Sequence, residues 1–370
     1  MLPKTPLTVK VPGKLMVAGE FSVLEPYYHA VVTAVNRFVY ATVENSSTCQ
    51  LTLENFNLRN LSWTYEQNDV HIENADARTR FVKDAMMIAL QYLKEHHVSL
   101  QPFSLSIKSN LEDKSGVKYG LGSSAAVVTA VISIILRKFL PTYASKRTIF
   151  KLAAISHIKT QGNGSGADIA ASTYGGIIKY ASFQADWLKE AYKHTMHLTT
   201  LVDQDWPYLS IEPLSFPKQF VHFLVGWTGH PASTKSLVDQ ILALKSENEK
   251  MYEQFLSTSK EAVNAFIQGL KKKDLSQLVE GIKLNRISLA GVGKAAQAPI
   301  ETSLLKVLCD LAEQANGAGK PAGAGGGDCG IAFIPTKEEA IALKEKWKQS
   351  GIKPLQLSIS ESGAKIKNHV

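Results

Sequence analysis

The sequence predicts an α+β fold in two units, and three observations carry that expectation. Strand-forming runs fill most of the first third, amphipathic helices follow one another between residues 237 and 315, and a strand, helix and strand close the chain. At 370 residues the chain exceeds the size at which a single hydrophobic core usually stops growing, so two domains in one body are expected, 1–200 and 201–370. Hydrophobic residues at 45% and charged residues at 20% exclude a disordered chain.

Taken in order, residues 8–11 alternate toward Pro12-Gly13 and residues 15–18 resume an apolar run, which predicts a strand, a Pro-Gly turn carrying Lys14, and a second strand. The Val, Tyr, Phe and Thr content of residues 31–43 predicts a long strand, with shorter ones at 50–53 and 62–65. Phe81, Ala85, Ile88, Ala89, Tyr92 and Leu93 recur at helical spacing, and Phe103, Leu105 and Ile107 then alternate as a strand. A polar loop over 109–118 leads into Tyr119-Gly120-Leu121-Gly122-Ser123-Ser124-Ala125-Ala126 and an apolar run to Leu136 that predicts a buried helix. Residues 149–158 are helical in spacing, a glycine-rich loop runs from Gln161 to Asp168, a helical turn follows at 169–172, and Gly175-Gly176 introduces a strand at 177–180. Tryptophan, proline and polar residues crowd between 183 and 217, which predicts the connection between the domains.

Beyond it, residues 220–227 read as a strand and 229–234 as a loop. Leu237, Ile241, Leu244, Met251 and Phe255 mark one long helix, followed by helices at 259–270, 275–291 and 303–315. A glycine-rich loop at 317–327, a strand at 330–334, a helix at 337–349 and a strand at 355–359 complete the expectation.

Composition narrows the partners. The longest apolar stretch, 125–136, contains Thr129 and Ser133 and is too short to span a bilayer, so no membrane partner is expected. The three cysteines, Cys49, Cys309 and Cys329, form no C-x-x-C pair, and residues 1–11 lack the apolar core of a signal peptide; both suit the cytoplasm. The formal charge of +8 favours anionic ligands in general, but Lys271-Lys272-Lys273 beside Asp274 reads as a solvated helix end rather than a nucleic-acid patch.

Chemistry concentrates in three glycine-rich loops. In Gly120-Leu121-Gly122-Ser123-Ser124 the glycines permit a tight turn and close approach of a ligand, and the helix that follows exposes unpaired amide hydrogens to an anion. Most Gly-Ser helix starts are ordinary caps. Lys14 could face a cleft or water, Asp168 could approach a substrate or cap the turn at Ile169, and 322–329 could be a joint.

Together these features resemble the GHMP small-molecule kinases. Pro12-Gly13-Lys14 with Gly19-Glu20 is similar to the first family motif, Gly120 to Ala126 to the ATP loop, and Gly323 to Cys329 to the third motif, while Asp168 falls where the family places its catalytic aspartate. The G-x-x-x-x-G-K-[ST] loop of the P-loop kinases is absent. The resemblance implies the GHMP kinase fold, with an N-terminal ribosomal-S5-like ATP-binding domain and a C-terminal ferredoxin-like α+β domain. It implies Lys14 and Asp168 as catalytic residues and Gly120, Leu121, Gly122, Ser123, Ser124, Ala125 and Lys118 as the ATP site, with Ser124 a ligand of Mg2+. By motif position, Tyr28, His29, Asn163, Ser165, Gly166, Ser233, Thr234, Gly326 and Asp328 would meet the acceptor.

Residues 18–26 and 226–234 look most like the bacterial members whose acceptor is itself a phosphate, and Gly19-Glu20-Phe21 departs from the Gly-Glu-His usual in siblings that phosphorylate an alcohol. An alcohol-phosphorylating member and a ligand-binding sensor on the same fold are the alternatives. The alcohol kinases supply a glutamate to magnesium from the helix before the aspartate loop; residues 125–167 here contain no Asp or Glu, and Ser156 and His157 stand near that position. A homodimer is compatible with the family, though no residue pattern speaks to it.

Overall fold

In the computed structural model, residues 6–73, 76–113, 115–217, 219–230 and 234–367 are described. The first sheet is built from β1 (Leu7–Ala18), β2 (His29–Asn45), β3 (Gln50–Leu53), β4 (Leu58–Glu66) and β5 (Asp69–Ile72), and after helix α1 (Arg80–Glu95) from β6 (Phe103–Ser109). Helices α2 (Ser123–Phe139), α3 (Lys146–Gln161) and α4 (Ala167–Tyr174) follow, and then β7 (Ile177–Ala181). Its pairing is antiparallel except for β3 beside β6. The α2 run of Ala, Val and Ile is apolar all round because it is covered on every side, by β1 and β2 and by α1, α3 and α4.

The Pro-Gly turn expected at Pro12 does not form. β1 runs straight through it, and the irregularity falls on β2, where the register passes from Pro12 opposite Phe38 to Gly13 opposite Val35. Proline has no N–H to offer a ladder, so a register shift is where an interior strand tolerates it. Gly13 then packs so tightly on the loop before α2 that a Cβ there would lie 2.8 Å from the Leu121 carbonyl oxygen.

The stretch expected to connect the domains is itself folded. It forms α5 (Ala185–His194), α6 (Leu198–Asp203) and β8 (Ser210–Leu214), and β8 pairs with β7. The tryptophans that suggested a linker are core: Phe183 and Trp206 pack edge to face at 5.2 Å, and both pack on Phe150 of α3.

A second sheet comes from β9 (His222–Trp227) and, after four helices, from the rest of the chain. The one long helix expected over 237–255 is two, α7 (Thr234–Glu247) and α8 (Glu249–Lys272), because Asn248 leaves the helical conformation and accepts a hydrogen bond from the Met251 amide as an N-cap. The separate helix expected at 259–270 is the continuation of α8. Then come α9 (Leu275–Ala295), α10 (Ser303–Gln314), β10 (Ala318–Pro321), β11 (Cys329–Ile334), α11 (Lys337–Gln349) and β12 (Lys353–Leu355). The order of this antiparallel sheet is β10, β11, β9, β12. The glycine loop is thus shorter than expected, since residues 318–321 pair with β11 as a strand. The strand expected at 355–359 ends at Leu355 as β12; Ile359 instead bridges Val35, and β13 (Lys365–Ile366) then pairs with β1. Among the described residues no helix is long and apolar enough to cross a membrane.

Phe150 is fully buried among four aromatic rings. Phe150→Ala is expected to lower unfolding free energy by about 3–5 kcal/mol, read from the urea midpoint.

Candidate active site

Lys14 sits on β1 immediately after Gly13, and its backbone N–H donates to the Leu121 carbonyl at 2.8 Å, which fastens the strand to the loop before α2. The loop is cleared for the lysine stem. Gly122 has φ +72°, and a Cβ there would lie 2.9 Å from Lys14 Cγ. The ammonium reaches the third loop, where a Cβ on Gly323 would stand 4.0 Å from Lys14 Nζ.

Gly122 occupies the N-cap position of α2 with no side-chain cap, so the first amide hydrogens of the helix are left for a ligand. The serine cap suggested by the sequence is absent. Ser124 Oγ instead lies 3.1 Å from Nε2 of His157 on α3. Asp168 is likewise no cap: Gly166 holds that position in α4, and the Asp168 carboxylate accepts from the next amide, Ile169, at 2.9 Å.

Lys14, Gly120, Asn163, Ser165, Asp168 and Asp328 line one cavity of 630 Å³. Asp328 packs on Gly120, where a Cβ would come within 2.7 Å of its Oδ2. A second cavity of 290 Å³ lies on the other side of the start of α2, bounded by Asn55, Phe56, Arg78, Phe81 and Lys118 together with Ser123 and Ser124. His157 lines the first cavity and Ser124 the second, so the two spaces meet at their hydrogen bond.

Other expected residues sit apart. Tyr28 and His29 do not line the cavity, and burial together with the Lys179 charge lowers the His29 pKa where β2 begins. Gly326 donates its amide to the Ile300 carbonyl at 2.8 Å, and Gly166 packs against the Phe183 ring. Leu121 and Ala125 are buried, so only their backbone could serve a ligand. Ser233 lies outside the described residues, as does the side chain of Thr234.

Behind the loops is a buried ion pair that sequence reasoning passed over. Glu20 and Lys320 are joined directly, Asn285 of α9 donates to the second Glu20 oxygen at 2.9 Å, and the Gly323 amide donates to the first at 3.3 Å. Asn285 also accepts the Gly19 amide at 3.0 Å. Burial lowers the Lys320 pKa from its ordinary value, and the Glu20 carboxylate opposes that shift. The only local signal was a lysine inside an otherwise small-residue run.

The donors also bear on magnesium. Ser124 Oγ stands at the head of α2, Asp168 and His157 line the same cavity, and no cluster of three or more His, Cys, Asp or Glu among the described residues could hold a metal alone. Such a sparse oxygen set fits Mg2+, which keeps several waters and shares substrate phosphates, and does not fit a metal that needs a full protein cage.

Lysine, aspartate and a glycine-rich loop thus share one cavity, and the chain is similar to known kinases. The model of the GHMP kinases N terminal domain matches residues 80–176 and that of the GHMP kinases C terminal region residues 266–353. The chain belongs to the GHMP kinases. It is 31% identical to the phosphomevalonate kinase of Streptomyces sp. (strain CL190) over 365 residues, which cover 95% of this chain and 96% of that one. A solved Listeria innocua protein is 42% identical, covering 99% of this chain and 100% of its own, with a TM-score of 0.92. Streptococcus pneumoniae phosphomevalonate kinase, solved in complex with phosphomevalonate and AMPPNP, is 27% identical, covering 95% and 99%, with a TM-score of 0.83.

Lys320→Met leaves a buried carboxylate unpaired and is expected to cost about 3–5 kcal/mol in chemical denaturation. The double change Glu20→Gln with Lys320→Met should recover much of that loss, which separates stranded charge from lost packing.

Proposed function

We propose that this chain is a phosphomevalonate kinase: it transfers the γ-phosphoryl group of ATP to the phosphate of (R)-5-phosphomevalonate, giving 5-diphosphomevalonate and ADP in the mevalonate route to isoprenoids. The observation that carries the reading is that Lys14 and Asp168 line one cavity with Gly120, while the Lys14 stem lies against Gly122 at the uncapped start of α2. The resemblance of residues 18–26 to the phosphate-accepting members favours this acceptor over an alcohol. Phe21, in place of histidine, is buried in an apolar cluster with Leu237 and Ile241 and offers no polar group.

In the reaction an acceptor phosphate oxygen forms a bond to Pγ as the bond from Pγ to the bridging oxygen breaks, and ADP leaves with that electron pair. The transition state is loose, so catalysis is positioning and cancellation of charge. Backbone amides of Ser123 and Ser124 would hold the phosphates, with the adenosine in the cavity of Asn55, Phe56, Arg78 and Phe81. Lys14 would place its ammonium on the oxygens that gain charge. Asp168 would orient Lys14 and the acceptor; a phosphate with a second pKa of about 6 is already ionised at neutral pH, so no strong base is required. Ser124 would be a protein ligand of the Mg2+ that comes with ATP, and the metal would supply neutralisation of phosphate charge.

Mixed separately with mevalonate, phosphomevalonate and diphosphomevalonate in the presence of Mg-ATP, the protein is expected to release ADP only with phosphomevalonate and to give a product heavier by one phosphoryl group. ADP with mevalonate alone would replace this reading with the alcohol kinase; none with any acceptor would favour the sensor. Lys14→Met is expected to lower kcat by about a hundred- to thousandfold, the scale for losing one preorganised stabiliser. Asp168→Asn should lower kcat without a new ionisation in the pH profile, because positioning rather than proton abstraction is lost.

A further inference from the structure

The wall between the two cavities holds an imidazole to which the mechanism above gives no part. His157 is buried, stacks on Phe81 with ring centroids 5.4 Å apart, and touches Ser124 Oγ through Nε2 at 3.1 Å. Its helix neighbour Ser156 is buried too, but its hydroxyl has no partner among the described residues and lines neither cavity. Of the two, only His157 reaches the start of α2.

A neutral imidazole carries one N–H and one bare nitrogen, so the bond to Ser124 can run either way. If Nε2 donates, the Ser124 hydroxyl hydrogen is free to point at a phosphate oxygen. If Nε2 accepts, that hydrogen is turned inward, and the hydroxyl oxygen presents lone pairs outward, to a cation. The surroundings favour the second arrangement: Nε2 faces Ser124 while His157 shares its cavity with Asp168, so the carboxylate favours the ring N–H on the other nitrogen, Nδ1, and leaves Nε2 bare to accept.

The geometry points to His157 as a positioning residue that accepts the Ser124 hydroxyl proton and thereby aims the Ser124 oxygen at the Mg2+ of bound Mg-ATP. The inference rests on the reading of the α2 start as the nucleotide site, and it is independent of which acceptor is used. Groups that orient a metal-binding side chain typically change metal affinity by about ten- to a hundredfold when removed.

The test measures AMPPNP binding by calorimetry, once with Mg2+ and once with EDTA, with no acceptor present. Wild-type protein is expected to bind more tightly with Mg2+. His157→Phe, or His157→Leu if the larger ring does not fold, should reduce that enhancement by about tenfold or more and leave affinity in EDTA unchanged. His157→Gln, whose amide oxygen can accept in place of Nε2, should restore most of it. In a Ser124→Ala background, His157→Phe should remove no further enhancement. Full enhancement in both apolar variants overturns the role, as does an equal loss in His157→Gln. A loss of affinity in EDTA overturns it in favour of a relay from His157 through Ser124 to phosphate. Wild-type protein that fails to bind AMPPNP at all would overturn the nucleotide-site reading itself.

Discussion

The arrangement of the three loops depends on one buried carboxylate. Glu20 lies just past the end of β1 and is satisfied by Lys320 of β10, Asn285 of α9 and the amide of Gly323, so a single side chain ties the first motif to the third and to the helical layer. The expense of removing two charges from water is offset only while all partners are in place, and that makes the contact an all-or-none constraint on where the loops sit. Lys14 inherits its position from this constraint on one side and from the Leu121 carbonyl on the other.

With the loops fixed, the head of α2 becomes a partition. The larger space beside it is lined by Lys14, Gly120 and Asp168, and the smaller by Ser123, Ser124, Phe56 and Phe81. The partial positive charge of a long buried helix and the ammonium groups of Lys14 and Lys245 offset the carboxylates.

Much of this was legible in the sequence wherever the signal was local. Gly122, Gly120 and Asp168 are conspicuous because a glycine pair before an apolar run, or a carboxylate behind Gly-Ser-Gly, says something about the backbone itself. The helix Lys337–Gln349 and the strand Gln50–Leu53 follow from periodicity in the same way. What escaped depends on partners distant in the chain. Pro12 becomes part of a continuous strand because β2 yields opposite it. Trp206 becomes core because Phe150 and Phe183 enclose it. Asn248 breaks a helix through a cap that apolar spacing does not register. Lys320 and Asn285 acquire meaning only beside Glu20, and the Ser124 hydroxyl leaves its own helix end because His157 is within reach.

The pairing of β13 with β1, and of Ile359 with Val35, has a consequence for biosynthesis. The strand that bears Lys14 gains its outer neighbour only after residue 366 has left the ribosome, and the partner of Glu20 emerges just a few dozen residues earlier. A nascent chain can collapse its first sheet but cannot complete the motif until both of these partners have emerged.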